Sequence, residues 1–164
     1  MHKDTLQSYA KINLFLEVIK KLKNGYHDLS SIITRISISD KIKIDTAADF
    51  SVKFIGPFCS QVSQESNIHT LFQFLLDNNF INHSNYAILI DKQIPVGSGL
   101  GGGSSNVAEI LKYLMSEGAL SKSQCLLAAK ELGSDIEFFL EEGSALITGA
   151  GSVKRRINLF SDKI

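Results

Sequence analysis

The residues with the clearest chemical potential form a glycine-rich run in the second half of the chain. Five glycines fall between positions 97 and 103 of the segment IPVGSGLGGGSSNVA. Glycine lacks Cβ, so such a backbone can adopt positive φ and bring successive N–H groups close to an anion. The sequence therefore predicts a phosphate-binding loop. Its residues are Pro95, Val96, Gly97, Ser98, Gly99, Leu100, Gly101, Gly102, Gly103, Ser104 and Ser105.

Other interpretations of the glycine run fit less well. A flexible Gly/Ser linker is not normally flanked by an apolar strand and an amphipathic helix. Gly97, Gly99 and Gly102 satisfy the dinucleotide pattern GxGxxG. That pattern requires an acidic residue at the end of the next strand about 20 residues on, where this chain instead has a helix end and Ser121. The pattern GxxxxGK[ST] is absent, because no lysine follows the glycines.

The segments on either side of the run explain how it is positioned. Alternating apolar residues predict a strand over 86–90, which ends before Pro95 because proline lacks the N–H that sheet pairing needs. Helical spacing of apolar residues predicts a helix that starts at or near Ser104 and ends at Gly118. The order is strand, glycine loop, helix, and the helix start adds partial positive charge to the loop.

The rest of the chain predicts an α+β fold in which a mixed sheet packs on helices, as one domain over 1–164. Residues 10–18 alternate as a strand with one buried face, which leaves Lys11 and Asn13 on the opposite face. A helix over 68–76 is capped by Ser66 or Asn67. A further helix begins with a capping box at Ser121 and ends at Gly133. The segments IEFFL and SALITG are predicted to be short closing strands.

Composition excludes several classes of function. The 164 residues are 44% hydrophobic and 21% charged, and 17 basic residues balance 17 acidic ones, so no basic excess indicates a nucleic-acid partner. No apolar run is long enough to span a membrane. Cys59 and Cys125 lie far apart, which predicts reduced thiols and a cytoplasmic location. No histidine or carboxylate cluster predicts a protein-bound metal.

Five segments in order carry a family resemblance. PVGSGLGGGSS resembles the signature of the GHMP kinases, a superfamily of small-molecule kinases. YAKINLFLEV, NGYHDLSSII, SNI and LGSDIEFFL resemble the branch that phosphorylates the 2-hydroxyl of 4-diphosphocytidyl-2-C-methyl-erythritol in non-mevalonate isoprenoid biosynthesis. The resemblance extends over nearly the whole chain.

The resemblance implies a fold and a set of site residues. The fold would be the amino-terminal domain of a GHMP kinase, similar to domain 2 of ribosomal protein S5, with the carboxy-terminal domain absent. ATP would lie along residues 95–105 and bring Mg²⁺ with it. Lys11 and Asp135 match the catalytic pair, and Tyr26 and His27 match a cytidine-binding corner. Asn13 is a substrate contact, a support for the pair or a structural amide with its hydrogen bonds satisfied, and the sequence leaves these roles open. Without the resemblance, Lys11 and Asp135 predict only a surface salt bridge and a turn.

Two departures from the family pattern keep other functions open. Glu137 stands where the family usually has proline, and the second wall of the active-site cleft is missing. One alternative is therefore a non-catalytic nucleotide-binding or interaction domain, and another is a GHMP kinase for a different small alcohol. The face left by the absent domain could also promote self-association.

Overall fold

A computed structural model describes residues 5–21, 27–149 and 152–157 of the chain. In these ranges the strands are β1 (Leu6–Lys21), β2 (His27–Thr46), β3 (Ser51–Ile55), β4 (Tyr86–Asp91), β5 (Ser144–Gly149) and β6 (Ser152–Ile157). The α-helices are α1 (Asn67–Asp77), α2 (Gly102–Ser116), α3 (Lys122–Leu132) and α4 (Ile136–Leu140), and a short 3₁₀ helix spans Cys59–Gln61.

The long strand β2 organises the sheet. It pairs antiparallel with β1 along most of its length, with β5 near its start and with β4 near its end. β3 pairs parallel with β4, and β5 pairs antiparallel with β6. The sheet is therefore mixed, with the order β3-β4-β2-β5-β6 and β1 attached to β2. The parallel pair is connected through α1, as parallel strands require.

One hydrophobic cluster joins the helices to the sheet. Ile42 and Ile90 of the sheet are fully buried against the helices, as are Leu71 of α1 and Leu111 of α2. These residues occur at strand spacing in β2 and β4 and at helix spacing in α1 and α2, so each element buries one face. The predicted α+β fold, with a mixed sheet packed on helices, is confirmed.

The predicted helix boundaries agree with the structure at two helices and differ slightly at a third. Ser66 is the N-cap of α1, and Ser121 caps α3 in a capping box with Gln124. α2 begins at Gly102, two residues before the predicted start. Two glycines of the loop therefore belong to the first helical turn.

The prediction of a strand at IEFFL is wrong, because residues 136–140 form the helix α4. Ile136, Phe138 and Phe139 are all buried. A short apolar run satisfies a buried strand and a buried helical turn equally well, so periodicity alone does not separate them. The prediction of a strand at SALITG is confirmed as β5.

The burial predicted for the first strand is also wrong beyond its start. Ala10 is fully buried, but Leu14, Leu16 and Val18 are 50%, 56% and 58% exposed. Lys11, predicted to lie on the polar face, is itself buried. Register irregularities between Tyr9 and Lys11 and further along β1 break the simple alternation of faces.

Within the described ranges, no helix combines the length and the apolar character that a membrane crossing requires.

Candidate active site

A cavity of about 390 Å³ opens between the glycine loop, β1 and the start of α1. Its wall contains nine of the eleven residues predicted for the loop, and it also contains Lys11 and Asp135. Residues separated by more than a hundred positions in sequence thus line one space. The nine loop residues are Pro95, Val96, Gly97, Ser98, Gly99, Gly101, Gly102, Gly103 and Ser104.

The loop backbone requires glycine at alternate positions. Gly97, Gly99 and Gly101 have φ values of 72°, 77° and 71°, in the left-handed region that side chains with Cβ disfavour. A Cβ on Gly97 or Gly99 would meet no atom within 4 Å. These two positions are therefore glycine because of their backbone conformation, and the space beside them is open.

The start of α2 presents main-chain donors to the cavity. Gly101 is the N-cap, and the amide of Ser105 is the first one bonded within the helix, to the carbonyl oxygen of Gly101 over 2.8 Å. The amides of Gly102, Gly103 and Ser104 precede that bond and have no acceptor inside the helix. Together with the partial positive charge of the helix start, they favour an anion in the cavity.

Gly102 and Gly103 allow close packing at this helix start. A Cβ on Gly102 would lie 2.9 Å from Ile94 Cγ2 and 3.0 Å from Lys92 Nζ. A Cβ on Gly103 would lie 3.0 Å from Asn67 Nδ2. The first turn of α2 therefore packs closely against Lys92 and Ile94 in the segment that follows β4, and against the Asn67 side chain of α1.

Lys11 and Asp135 form an ion pair in the wall of the cavity. Lys11 Nζ lies 3.4 Å from Asp135 Oδ2, and the two side chains are 10% and 37% exposed. An ammonium group this far removed from solvent keeps a fixed position, whereas the carboxylate remains open to a ligand. The carboxylate can accept a proton from a ligand, and the ammonium group can stabilise negative charge that develops on a ligand.

Main-chain geometry brings Lys11 to the loop. The irregular pairing of β1 with β2 lies directly before Lys11, and bulges of this kind re-aim side chains. The amide of Lys11 then donates to the carbonyl oxygen of Leu100 over 2.9 Å. Strand β1 is thereby hydrogen-bonded to the glycine loop at the residue that carries the ammonium group.

Asn13 also binds the ammonium group of Lys11. Asn13 Oδ1 accepts a hydrogen bond from Lys11 Nζ over 3.0 Å, and Asn13 Nδ2 donates to Ser31 Oγ over 2.7 Å. Ser31 in turn donates to the carbonyl oxygen of Phe15 over 2.7 Å. The chain of hydrogen bonds fixes the amide orientation of Asn13 and leaves its oxygen facing the ammonium group.

Several predicted site residues lie elsewhere. Ser105 is fully buried, and its Oγ is 2.8 Å from Ser8 Oγ, so its hydroxyl does not face the cavity. Leu100 contributes its carbonyl to β1 instead of lining the cavity. Tyr26 lies outside the described residues, and His27 is described only as the first residue of β2.

The sequence analysis missed a buried ion pair beneath the helix start. Lys92 Nζ contacts Asp40 Oδ2, and the two side chains are 4% and 0% exposed. Asp40 Oδ1 also accepts from the amides of Gln93 and Ile94, each over 2.8 Å. Lys92 lines the cavity. No local pattern could have revealed the pair, since its members are 52 positions apart, with Asp40 in β2 and Lys92 directly after the end of β4.

The cavity is also lined by apolar residues outside the loop. Phe54, Val62 and Ile68 line it, together with the side chain of Asn67 at the start of α1. Glu137 is not part of this wall, and its carbonyl oxygen accepts from Arg156 instead. Among the described residues, no group of three or more histidine, cysteine or acidic side chains is arranged to hold a metal ion.

The chain resembles known proteins over most of its length. Residues 67–143 match the family of GHMP kinases N terminal domains. A protein of Thermosipho melanesiensis named 4-diphosphocytidyl-2-C-methyl-D-erythritol kinase is 37% identical over 90% of this chain and 53% of its own length. A protein of the same name from Fervidobacterium nodosum is 38% identical over 90% of this chain and 52% of its own.

A solved structure gives the same result. A crystal structure of 4-(cytidine 5'-diphospho)-2C-methyl-D-erythritol kinase superimposes with a TM-score of 0.77 and 28% identity, over 94% of this chain and 55% of that one. The chain is therefore related to the GHMP kinases and has the fold of their N-terminal domain. Within that family it is homologous to the 4-diphosphocytidyl-2-C-methyl-D-erythritol kinases, and it spans about half the length of the curated relatives it matches.

Proposed function

We propose that this chain is the ATP-binding domain of a kinase that phosphorylates the 2-hydroxyl of 4-diphosphocytidyl-2-C-methyl-D-erythritol in isoprenoid biosynthesis. The carrying observation is that the glycine loop, the start of α2 and the Lys11–Asp135 pair line one cavity. Phosphoryl transfer needs these three features together, because catalysis is mainly positioning and stabilisation of spread negative charge.

The loop and the helix start suit the phosphates of ATP. The amides of Gly102, Gly103 and Ser104 have no acceptor inside α2, and these residues line the same cavity as Gly97 and Gly99. Hydrogen bonds from such donors to a charged acceptor contribute about 1.5–3 kcal/mol each, so a few of them suffice without a dense lysine cluster. The apolar side chain of Phe54 and the amide of Asn67 line the same cavity and suit the nucleotide base.

Metal binding is proposed to depend on the nucleotide. No carboxylate cluster in the described residues would hold Mg²⁺ by itself. Bound along the phosphates, Mg²⁺ would neutralise part of their charge. The hydroxyl of Ser104, which lines the cavity, is proposed to face the phosphates.

Asp135 and Lys11 are proposed to act on the acceptor alcohol. The exposed carboxylate of Asp135 accepts the proton of the attacking hydroxyl group. Lys11, held by Asn13 and by its own backbone bond to Leu100, offsets negative charge on the transferring group. Asn13 acts here as a support for Lys11. The cytidine end of the acceptor is proposed to bind at Tyr26 and His27.

Residues 1–164 are proposed to form one domain. The relatives are about twice as long, and we propose that a domain equivalent to their unmatched half supplies the second wall of the cleft. A stretch of β1 exposes large apolar side chains on both of its faces. These are Leu14, Phe15, Leu16, Val18 and Ile19. Such a patch favours further protein contact, including self-association. We place the protein in the cytoplasm, which agrees with free cysteines at 59 and 125.

The proposal is tested in two stages with the 164-residue chain. Calorimetric titration with Mg²⁺ and ATP should give saturable binding, and Asp135→Asn should leave the dissociation constant nearly unchanged. Transfer to the diphosphocytidyl substrate, followed by ³¹P NMR, should fall by about 10²–10⁴-fold in Asp135→Asn, the range for loss of a general base. Glu131→Gln, at an exposed acidic residue on α3, is the matched control.

The outcomes separate the competing functions. ATP binding without transfer to any alcohol, even when protein equivalent to the remaining half of the relatives is added, would favour a non-catalytic nucleotide-binding domain. Transfer to homoserine or mevalonate, but not to the diphosphocytidyl substrate, would assign another GHMP activity. A chain that binds no nucleotide would refute the proposed site altogether.

A further inference from the structure

The position of Asp135 depends on a very short helix. Asp135 is the N-cap of α4, which has only five residues. Isolated helices of this length are unstable in water. The carbonyl groups of the last helical turn have no partners inside a helix, and in a five-residue helix that turn is nearly the whole element. Something outside α4 must therefore hold it in place.

Arg35 holds the carboxy-terminal end of α4. Its Nη2 donates to the carbonyl oxygens of Phe139 over 2.8 Å and Glu141 over 2.6 Å. Its Nη1 contacts Glu142 Oε1 over 2.8 Å, and the arginine side chain is only 12% exposed. A guanidinium group suits this position, because its donors form a planar fork and its charge complements the helix carboxy terminus.

Arg156 holds the same helix from β6. Its Nη2 donates to the carbonyl oxygens of Phe138 over 2.8 Å and Glu137 over 3.2 Å, and its Nη1 donates to Glu141 over 3.3 Å. Its Cζ lies 5.3 Å from the centre of the Phe138 ring. Burial lowers the pKa of Arg156 from its ordinary value, opposed by the carboxylate of Glu141, so the group is substantially desolvated.

The pairing of β1 with β2 connects these two arginines and α4 to Lys11 in the candidate active site. Lys11 of β1 and Arg35 of β2 are partners in the antiparallel register. The same pair of strands therefore carries Lys11 directly and carries Asp135 through Arg35 and α4. The helix also reaches the glycine loop, since a Cβ on Gly101 would lie 3.0 Å from the Phe139 ring.

We propose that Arg35 and Arg156 are positioning residues, which clamp α4 so that the Asp135 carboxylate lies beside Lys11. This inference rests on the proposed function and adds two residues to its site.

The test measures how fast an acylating reagent modifies individual lysines of the intact chain, by mass spectrometry. Lys11 should react slowly in the wild type, because it is buried and paired, and Asp135→Asn should accelerate it. Arg35→Met and Arg156→Met should each accelerate Lys11 toward the Asp135→Asn rate. Lys92, which is 4% exposed and paired elsewhere, should not change and reports on global unfolding.

Two further variants separate position from charge. Arg155→Met removes the same charge from the neighbouring exposed residue of β6 and should leave Lys11 unchanged. Arg35→Lys keeps the charge but lacks the fork, and should still accelerate Lys11.

The proposal is overturned if Lys11 reacts at the wild-type rate in both clamp variants, or accelerates only together with Lys92. An Asp135→Asn chain in which Lys11 stays slow would overturn it as well. Labelling needs no nucleotide, so this failure is distinct from a failure to bind or transfer phosphate.

Discussion

The backbone N–H of Lys11 donates to the carbonyl oxygen of Leu100 over 2.9 Å, which joins the strand that carries the ammonium group to the glycine loop. The position of Lys11 is therefore coupled to the conformation of the loop. A change in the backbone of the loop should alter both nucleotide binding and the position of the lysine, whereas a change elsewhere of equal severity should alter neither.

The left-handed glycines of the loop allow that comparison. Gly97→Ala and Gly99→Ala should each lower stability by about 1–2 kcal/mol, the cost of a left-handed backbone for a residue with Cβ. Both should also weaken ATP binding in calorimetry. Gly118→Ala is the matched control, because Gly118 has a φ of 75° and equally open surroundings at the end of α2. Equal loss of ATP binding in Gly118→Ala would contradict a local role for the loop.

Close packing at the start of α2 leads to a different expectation. Gly102→Ala should lower the free energy of unfolding by roughly 1–3 kcal/mol, since its Cβ meets buried Ile94 and Lys92, which cannot move aside. Gly103→Ala should lower it less, because its Cβ meets only the amide end of exposed Asn67. Denaturant unfolding of both variants measures the difference. An equal or larger loss at Gly103 would show that the Asn67 side chain is fixed.

Local sequence patterns predicted the parts of the site that lie close together in the chain. The order of strand, glycine run and helix around residues 95–105 follows from one proline, alternating apolar residues and helical spacing. The capping residues Ser66 and Ser121 follow from side chains that bond the first helical turn. These signals lie within a few residues of what they determine.

The remainder of the site depends on contacts that no local pattern encodes. Arg35 and Arg156 occur in strands, where a charged residue normally indicates a solvent-facing position. Their partners are the carbonyl groups of α4, about a hundred positions away from Arg35. The burial of Lys11 follows from an irregular register with β2, and the alternation of residue types in β1 contains no sign of it.

The buried pair of Asp40 and Lys92 should behave as a single unit. Asp40→Asn or Lys92→Met alone should lower the free energy of unfolding by roughly 3–5 kcal/mol, because either change leaves an unpaired buried charge. The double variant should lose less than the sum of the two single losses. Urea unfolding of the four proteins in this cycle measures the coupling. Fully additive losses would mean that the two side chains are not coupled in the folded protein.

The burial of the Glu109 carboxylate on α2 should make the free energy of unfolding depend on pH. Burial raises the pKa of Glu109, opposed by Lys112, whose Nζ lies 2.5 Å from its carboxylate, and by Arg35. Because the folded-state pKa is above the unfolded-state value, the contribution of Glu109 to stability is largest in acid and declines as pH rises through the folded-state pKa. Relative to the wild type, Glu109→Gln should therefore gain stability between pH 4 and pH 7, near and above the ordinary glutamate pKa of about 4.3. Glu117→Gln, at an exposed position that follows the same helix, is the control. A constant difference between Glu109→Gln and the wild type across this range would mean that folding does not raise the pKa of Glu109.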